Sequence, residues 1–307
     1  MNVFYFLLLA FFWGTAYVGV KYTVDVFDPY FSSFLRAFIG FVFFTGWFLI
    51  TKQSFYLPRK EAWRPWLAGM LIMGVPFIFL YWGQQFLPPG TGGIFNGTVP
   101  LWVFIIAAIT LKGQDRFTWR KAVGVIVGFI GLMFVFQPAL QAYTSASMNK
   151  MALYGSISLL MMAICYASGN VLIKYIMINK ITWQQSVFHQ YLFTTIFLFF
   201  VALLARAPLP SLEQALAPKV VISILYVALC SSAAALLLLM KLLKEWGALR
   251  ASLATYFVPF IAVGSDFLLN GRVPSKYEVI GMIIIIVSLV LIQFDKNGFK
   301  KSAGEAH

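Results

Sequence analysis

Arg36 sits about six residues inside an apolar run, in the stretch DPYFSSFLRAFIG. A guanidinium there can hold a carboxylate or a coupling ion, or it can hold helices together through a salt bridge, and Asp266 is the acid that could answer it. His189 and Asp266 are the two ion-coupling candidates, because each places a titratable group inside an apolar segment. Histidine has an ordinary pKa of about 6.5, in the working range, and its other role is a neutral hydrogen bond to a neighbouring helix. Trp13, Tyr17, Tyr81, Gln84 and Asn96 are uncharged polar or aromatic groups awkward in lipid. Trp102, Tyr166, Asn170 and Tyr256 join them, as do Gln85 and Gln190. Trp13 and Tyr17, Tyr81 and Gln85, and Tyr166 and Asn170 are each four apart, so each pair shares a helix face. Around a cavity such groups offer hydrogen bonds and aromatic walls to a small amphipathic solute; at the membrane surface, Trp and Tyr instead form an interfacial belt.

The segment GTGGIFNGTVPLWVF, residues 90–104, has the composition of a poor helix and the chemistry of a binding site. Glycines at 90, 92, 93 and 97 permit close helix approach, and Pro100 leaves the carbonyl of Asn96, one turn earlier, without its usual donor. Pro100 and Pro259 are the hinge or kink positions.

The elements that must position these residues are transmembrane helices. Of 307 residues 61% are hydrophobic and 11% charged, and the mean hydropathy is +0.84, against about 25% charged residues in ordinary soluble domains. Ten apolar runs, each long enough for about 30 Å of hydrocarbon, are predicted at 4–22, 30–51, 66–86, 91–111, 118–136, 152–178, 183–206, 217–242, 248–270 and 276–294. The fold class is therefore all-α integral membrane. The first run has no basic segment before it and no small-residue cleavage site, so it reads as a retained span. With the N-terminus inside, sixteen of the 23 Lys and Arg fall on the inner side and six on the outer, with Arg36 within a span; both termini are thus expected in the cytoplasm. Anionic lipid headgroups account for the net charge of +13, and nucleic acid is not implied as a partner.

No cofactor, metal or enzyme chemistry is expected. The chain has no H-E-x-x-H, no G-x-x-x-x-G-K-[ST] and no G-x-S-x-G, and its two histidines and two cysteines, Cys165 and Cys230, are not clustered. Both thiols are expected to be buried. An intramembrane enzyme should pair acids, or a nucleophile and a base, at one depth, and only scattered single groups are present. Without an ATP-binding element, uphill movement of a solute would need a proton or other ion gradient, or a counter-substrate.

The chain also repeats itself. A shift of 153 positions aligns Trp13 with Tyr166, Lys21-Tyr22 with Lys174-Tyr175, Ser33 with Ser186 and Arg36 with His189; a shift of about 159 aligns Pro100 with Pro259. Two five-span halves, 1–138 and 152–295, are joined by a polar connector, 139–151, and followed by a basic tail, 296–307. Five is odd, so the second half enters from the opposite side, which is the inverted arrangement of alternating-access carriers.

FFWGTAYVGVKY, DPYFSSFLRAFIG, the Asn-x-x-x-Pro of FNGTVPLWV, WRKAVGVIVGFIGLMFV and YFVPFIAVGSDFLLNG together resemble the drug/metabolite transporter superfamily, EamA type, over essentially the whole chain. The resemblance implies a ten-span carrier in the inner (plasma) membrane, commonly an exporter of amino acids or related small metabolites, with a central cavity between its halves. Members usually place a Glu after the Gly that ends spans four and nine; here those positions read Gly113-Gln114 and Gly271-Arg272. Import or exchange by the same fold, an intramembrane enzyme, and a non-transporting membrane assembly partner are the alternatives. The residues leave the substrate and the oligomeric state open.

Overall fold

The computed structural model describes residues 2–110, 119–144, 150–176, 181–246 and 254–293. Gly113-Gln114, residues 145–149 of the connector and the basic tail lie outside the described residues. Those described are helical, with no strand among them. In lipid a helix satisfies its own backbone polar groups, and the long apolar runs dictate that outcome.

The first half comprises α1 (Asn2–Val24), α2 (Pro29–Ile50), α3 (Arg59–Gly69), a π-helical turn π1 (Met70–Gly74), α4 (Val75–Gln84), α5 (Pro89–Gly97), α6 (Val99–Thr110) and α7 (Trp119–Thr144). The second comprises α8 (Lys150–Ile176), α9 (Trp183–Leu204), a single turn α10 (Leu212–Ala215), α11 (Pro218–Leu225), a second π segment π2 (Tyr226–Ala234), α12 (Ala235–Trp246), α13 (Ala254–Asn270) and α14 (Lys276–Gln293). Among the described residues six helical stretches are long and apolar enough to cross a membrane: Asn2–Val24, Pro29–Ile50, Arg59–Gln84, Lys150–Leu172, Trp183–Leu204 and Pro218–Leu242. Ala122–Pro138 and Ala254–Asn270 are apolar but shorter.

Local sequence explains the starts, stops and irregularities. Asp28 caps α2, its Oδ1 accepting from the backbone N–H groups of Tyr30 and Phe31, with Pro29 at the first helical position where its missing N–H costs nothing. Thr182 and Gln185 form a reciprocal capping box at α9. Pro76 cannot donate to Ile72, and the wide turn π1 just before α4 absorbs the gap, the N–H of Val75 reaching back to the Met70 carbonyl. In π2 a hydroxyl enters the ladder instead: Ser232 Oγ donates to the Val227 carbonyl at 2.9 Å.

Three boundaries differ from expectation, the first being that the span predicted from 66 already begins at Arg59, after Pro58. The helix predicted to end at 136 runs on through Pro138 to Thr144, because Leu140, Gln141 and Ala142 are good helix formers beyond the proline. The fourth predicted span breaks at Thr98 into α5 and α6, of 9 and 12 residues, where Pro100 removes a donor and Thr98 Oγ1 donates to the Phe95 carbonyl at 2.7 Å. Pro259, its counterpart, lies within an unbroken α13.

The packing pairs elements reciprocally. α2 lies on α9, α7 on α14 and α5 on α13; α1 packs on α13 as α6 packs on α8, and α4 packs on α8 as α11 and α12 pack on α1. Glycines set the closest approaches. A Cβ on Gly93 would overlap that of Ala262, one on Gly97 would enter the Pro259 ring, and Gly131 and Gly281 face each other across α7 and α14. Large apolar side chains such as Phe4, Leu49, Ile50, Leu204 and Leu268 are exposed on the outside, as a lipid-facing surface requires.

Candidate functional site

A cavity of about 280 Å³ lies at the centre of the bundle, lined by residues of every long rod except α7 and α14. Helix α1 contributes Trp13, Tyr17 and Val20; α2 contributes Arg36; π1 and α4 contribute Met73, Phe77 and Leu80. Asn96 comes from the last turn of α5, two residues before the break, and Tyr166 and Asn170 come from one face of α8. Gln190 and Tyr191 of α9, Ser231 and Ser232 of π2, and Thr255 of α13 complete the polar part, and Val187 of α9 adds apolar surface. Among these residues Val20, Arg36, Phe77 and Leu80 are buried, whereas Asn170 is exposed and Gln190 and Thr255 are half-buried. Exposure therefore rises toward the end of the bundle that carries the N-terminus of α1.

Among the described residues Arg36 is the one charged group in the lining, and it is 8% exposed. Its Nε donates to Ser232 Oγ at 2.9 Å, and its guanidinium carbon stands 4.1 Å from the Phe77 ring centroid. The bulge in π2 turns Ser232 toward Arg36, and Gly40, without a side chain, leaves room for the Tyr191 ring. Tyr191, Ser231 and Ser232 were not singled out from the sequence. The adjacent serines in an otherwise apolar run were a legible signal; Tyr191 was not, because nothing local distinguishes it from a packing aromatic.

Of the sequence-selected residues, Trp13, Tyr17, Arg36, Asn96, Tyr166, Asn170 and Gln190 come together in this lining. Tyr81 is fully buried just behind it. Gln84 is elsewhere: its Nε2 donates to the carbonyls of Leu87 at 3.1 Å and Pro88 at 2.9 Å, tying the α4–α5 turn, and Gly92 leaves space for its Oε1. Trp102 packs edge-on against Phe129, and Tyr256 packs on the core beside the cavity. His189 points to the α2–α3 connection, its Nε2 3.2 Å from the Phe55 carbonyl. The thiols of Cys165 and Cys230 are free and half-buried rather than buried.

Asp266 does not meet Arg36. Gly271, at φ 67°, turns the chain back so that Arg272 Nη1 reaches Asp266 Oδ2 at 3.3 Å, while Nη2 reaches Glu278 Oε2 at 2.8 Å and Oε1 at 2.9 Å. Helix α5 joins the same cluster: the Gly90 N–H donates to Asp266 Oδ2 at 3.1 Å, and Thr91 Oγ1 donates to Glu278 Oε1 at 2.6 Å. Nearby, Tyr22 Oη donates to Asn270 Oδ1 at 2.6 Å and Lys21 Nζ to the Gln85 carbonyl at 2.8 Å. The bundle end opposite the α1 N-terminus is thus tied by charge-assisted bonds from α5 to α13 and α14 and by the neutral Tyr22–Asn270 bond from α1 to α13. Among the described residues no group of three His, Cys, Asp or Glu is placed to hold a metal.

A central cavity walled by helices from both ends of the chain, with polar and aromatic groups set in a largely apolar lining, fits a membrane carrier, and the comparisons with known proteins agree. The model of the EamA-like transporter family matches residues 1–137 and again 153–294. The uncharacterized transporter YoaV of Bacillus subtilis is 24% identical over 283 residues, covering 92% of this chain and 93% of its own. Protein PecM of Dickeya dadantii is 24% identical over 92% of this chain and 88% of its own, and the uncharacterized inner membrane transporter YedA of Escherichia coli K12 is 23% identical over 94% and 89%. A solved crystal structure covers 99% of both chains at a TM-score of 0.64 and 14% identity, a likeness of fold. With the cavity and the two matched stretches together, this multi-pass membrane protein belongs to the EamA-like transporter family of drug/metabolite transporters.

Proposed function

We propose that the chain is a secondary carrier that exports small metabolites, amino acids or related compounds, across the inner (plasma) membrane by alternating access. The observation that carries the reading is the cavity: lined by eight rods drawn from both halves, with Arg36, Asn96 and several hydroxyls in a largely apolar wall, and with a charged cluster joining α5 to α13 and α14 beyond it. Its volume of about 280 Å³ lies just below the usual range of small-molecule sites, about 300–1,000 Å³, which suits a small metabolite and not a peptide.

Ten spans, both termini cytoplasmic, and two inverted halves, 1–138 and 152–295, form part of the same proposal. The reciprocal packing supports the inversion, and so does the placement of π1 and π2, each in the third rod of its half. In an inverted pair, exchanging the packings of the halves opens the other face at little cost in energy. With the basic excess inside, the more exposed end of the cavity faces the cytoplasm, where an exporter loads. Asn96 and the tyrosines contact cargo in this reading, and the break at Thr98 to Pro100 is the hinge. Pro259 packs against Gly97 and serves as the surface on which α5 rocks. His189 and Asp266 stand outside the lining, so Asp266 is assigned to closing the far end and not to holding cargo.

The test is flux in proteoliposomes loaded with labelled amino acids and small organic acids. Export by the wild-type chain, reduced about fivefold or more in a folded Asn96→Ala variant, is the expected result. Wild-type liposomes no leakier than empty ones for every class of solute would overturn the transport reading, and undiminished flux in Asn96→Ala would remove Asn96 from the site.

A further inference from the structure

The charge inside the cavity is unbalanced, and the imbalance selects a cargo. The chain has ten acidic residues. Asp25 pairs with Lys21, Asp28 caps α2, Glu61 pairs with Arg64, and Asp266 and Glu278 share Arg272. Glu213 lies in the single turn α10 and Glu245 near the end of α12, both exposed; Asp115, Asp295 and Glu305 lie outside the described residues. Among the described residues no carboxylate lies within 4 Å of Arg36, and none lines the cavity. The side chain that Arg36 does bond is the neutral hydroxyl of Ser232.

Resting on the carrier reading, we infer that the cargo is a small organic monoanion: a single carboxylate on an apolar or aromatic body, bound by Arg36. A buried guanidinium without a counter-charge attracts an anion strongly, and a planar carboxylate matches its donor fork. The same site penalises a cation, and it leaves the ammonium of a zwitterion beside a like charge with only neutral acceptors to answer it. One fixed cation balances one negative charge, so a dianionic phosphate ester would carry an unmatched charge into the cavity. Trp13, Tyr17, Tyr166 and Phe77 supply aromatic surface for the body, and Asn96 and Asn170 supply amide groups for a further hydroxyl or carbonyl. The inference narrows the export proposal: carboxylate metabolites without an amino group are preferred to amino acids.

The experiment uses the purified full-length protein in lipid nanodiscs and two matched sets of probes. Phenylpropanoate, phenylalanine and phenethylamine share one body; 4-methylpentanoate, leucine and isopentylamine share another. Ligand-dependent thermal stability is measured for each, with chloride held constant. The acids should raise the unfolding temperature and the amines and amino acids should not. Arg36→Gln should weaken the apparent affinity for the acids about tenfold or more, while Arg36→Lys, which keeps the charge but loses the fork, should recover part of it. Unliganded thermal unfolding of each variant checks that it is folded. An equal or larger shift with an amine or amino acid, no shift with either acid, full retention of acid binding in folded Arg36→Gln, or reproduction of the shift by chloride alone would overturn the inference. Flux separates this failure from the broader one: a chain that moves the amine or the amino acid across proteoliposomes remains a carrier of a different charge class, whereas one that moves nothing fails as a carrier.

Discussion

At the scale of the residue, the site is organised by Arg36 and by what was built to tolerate it. Ser232 is the clearest example, a hydroxyl turned by the π2 bulge to accept from the guanidinium while donating to Val227. Ser232→Ala is expected to lower stability by about 1–2 kcal/mol, the worth of a hydrogen bond to a charged group in a cavity where water can partly replace it, and to weaken binding of the acid probes. Thermal unfolding and probe titration of the variant check both. The spacing of Trp13 with Tyr17 and of Tyr166 with Asn170 made these residues legible, because four-residue spacing places two groups on one face whatever surrounds them. Tyr81 and Gln85 carry the same spacing and stand outside the lining, because spacing names a face and does not say which neighbour covers it.

At the scale of the element, α5 decides how the halves meet. Gly93 and Gly97 let its backbone lie against Ala262 and Pro259 of α13, and Gly90 and Thr91 at its start bind the two acids that Arg272 bridges. Gly93→Leu is expected to cost about 1–3 kcal/mol through overpacking and to impair flux, since no flexible side chain opposite can give way. Arg272→Gln leaves Asp266 and Glu278 buried without their cation; because Arg272 is itself 28% exposed, the loss is expected near the lower end of the range for broken buried pairs, about 3 kcal/mol. If the cluster holds the far end shut, the same variant should speed labelling of a cysteine introduced at Val24, in a background with Cys165 and Cys230 replaced, by an impermeant maleimide applied from that face. An unchanged labelling rate would show that the cluster only stabilises the fold. The acids were legible in the sequence as singular, but their partner was not, because the turn at Gly271 with positive φ brings Arg272 back onto them.

At the scale of the whole molecule, the proposed orientation makes a direct prediction. A fluorescent protein fused after residue 307 should fluoresce, and alkaline phosphatase fused there should be inactive, as both require for a cytoplasmic C-terminus; the reverse pattern would invert the reading of the cavity mouth and turn export into import. Hydrophobic runs, basic asymmetry and the internal repeat are one-dimensional properties, so the amino-acid order by itself determined that this is a helical membrane protein, and it carried the motifs that place it in its family. It also marked Arg36 as anomalous, because the cost of a charge in hydrocarbon depends on depth along one helix. Only the tertiary structure decided what Arg36 meets. A salt bridge to Asp266 and an open charge facing a cavity are equally compatible with the sequence, and the choice between them is made by the packing of α5 on α13 and by the return of the chain at Gly271, which give Asp266 to Arg272 and leave Arg36 to the cavity.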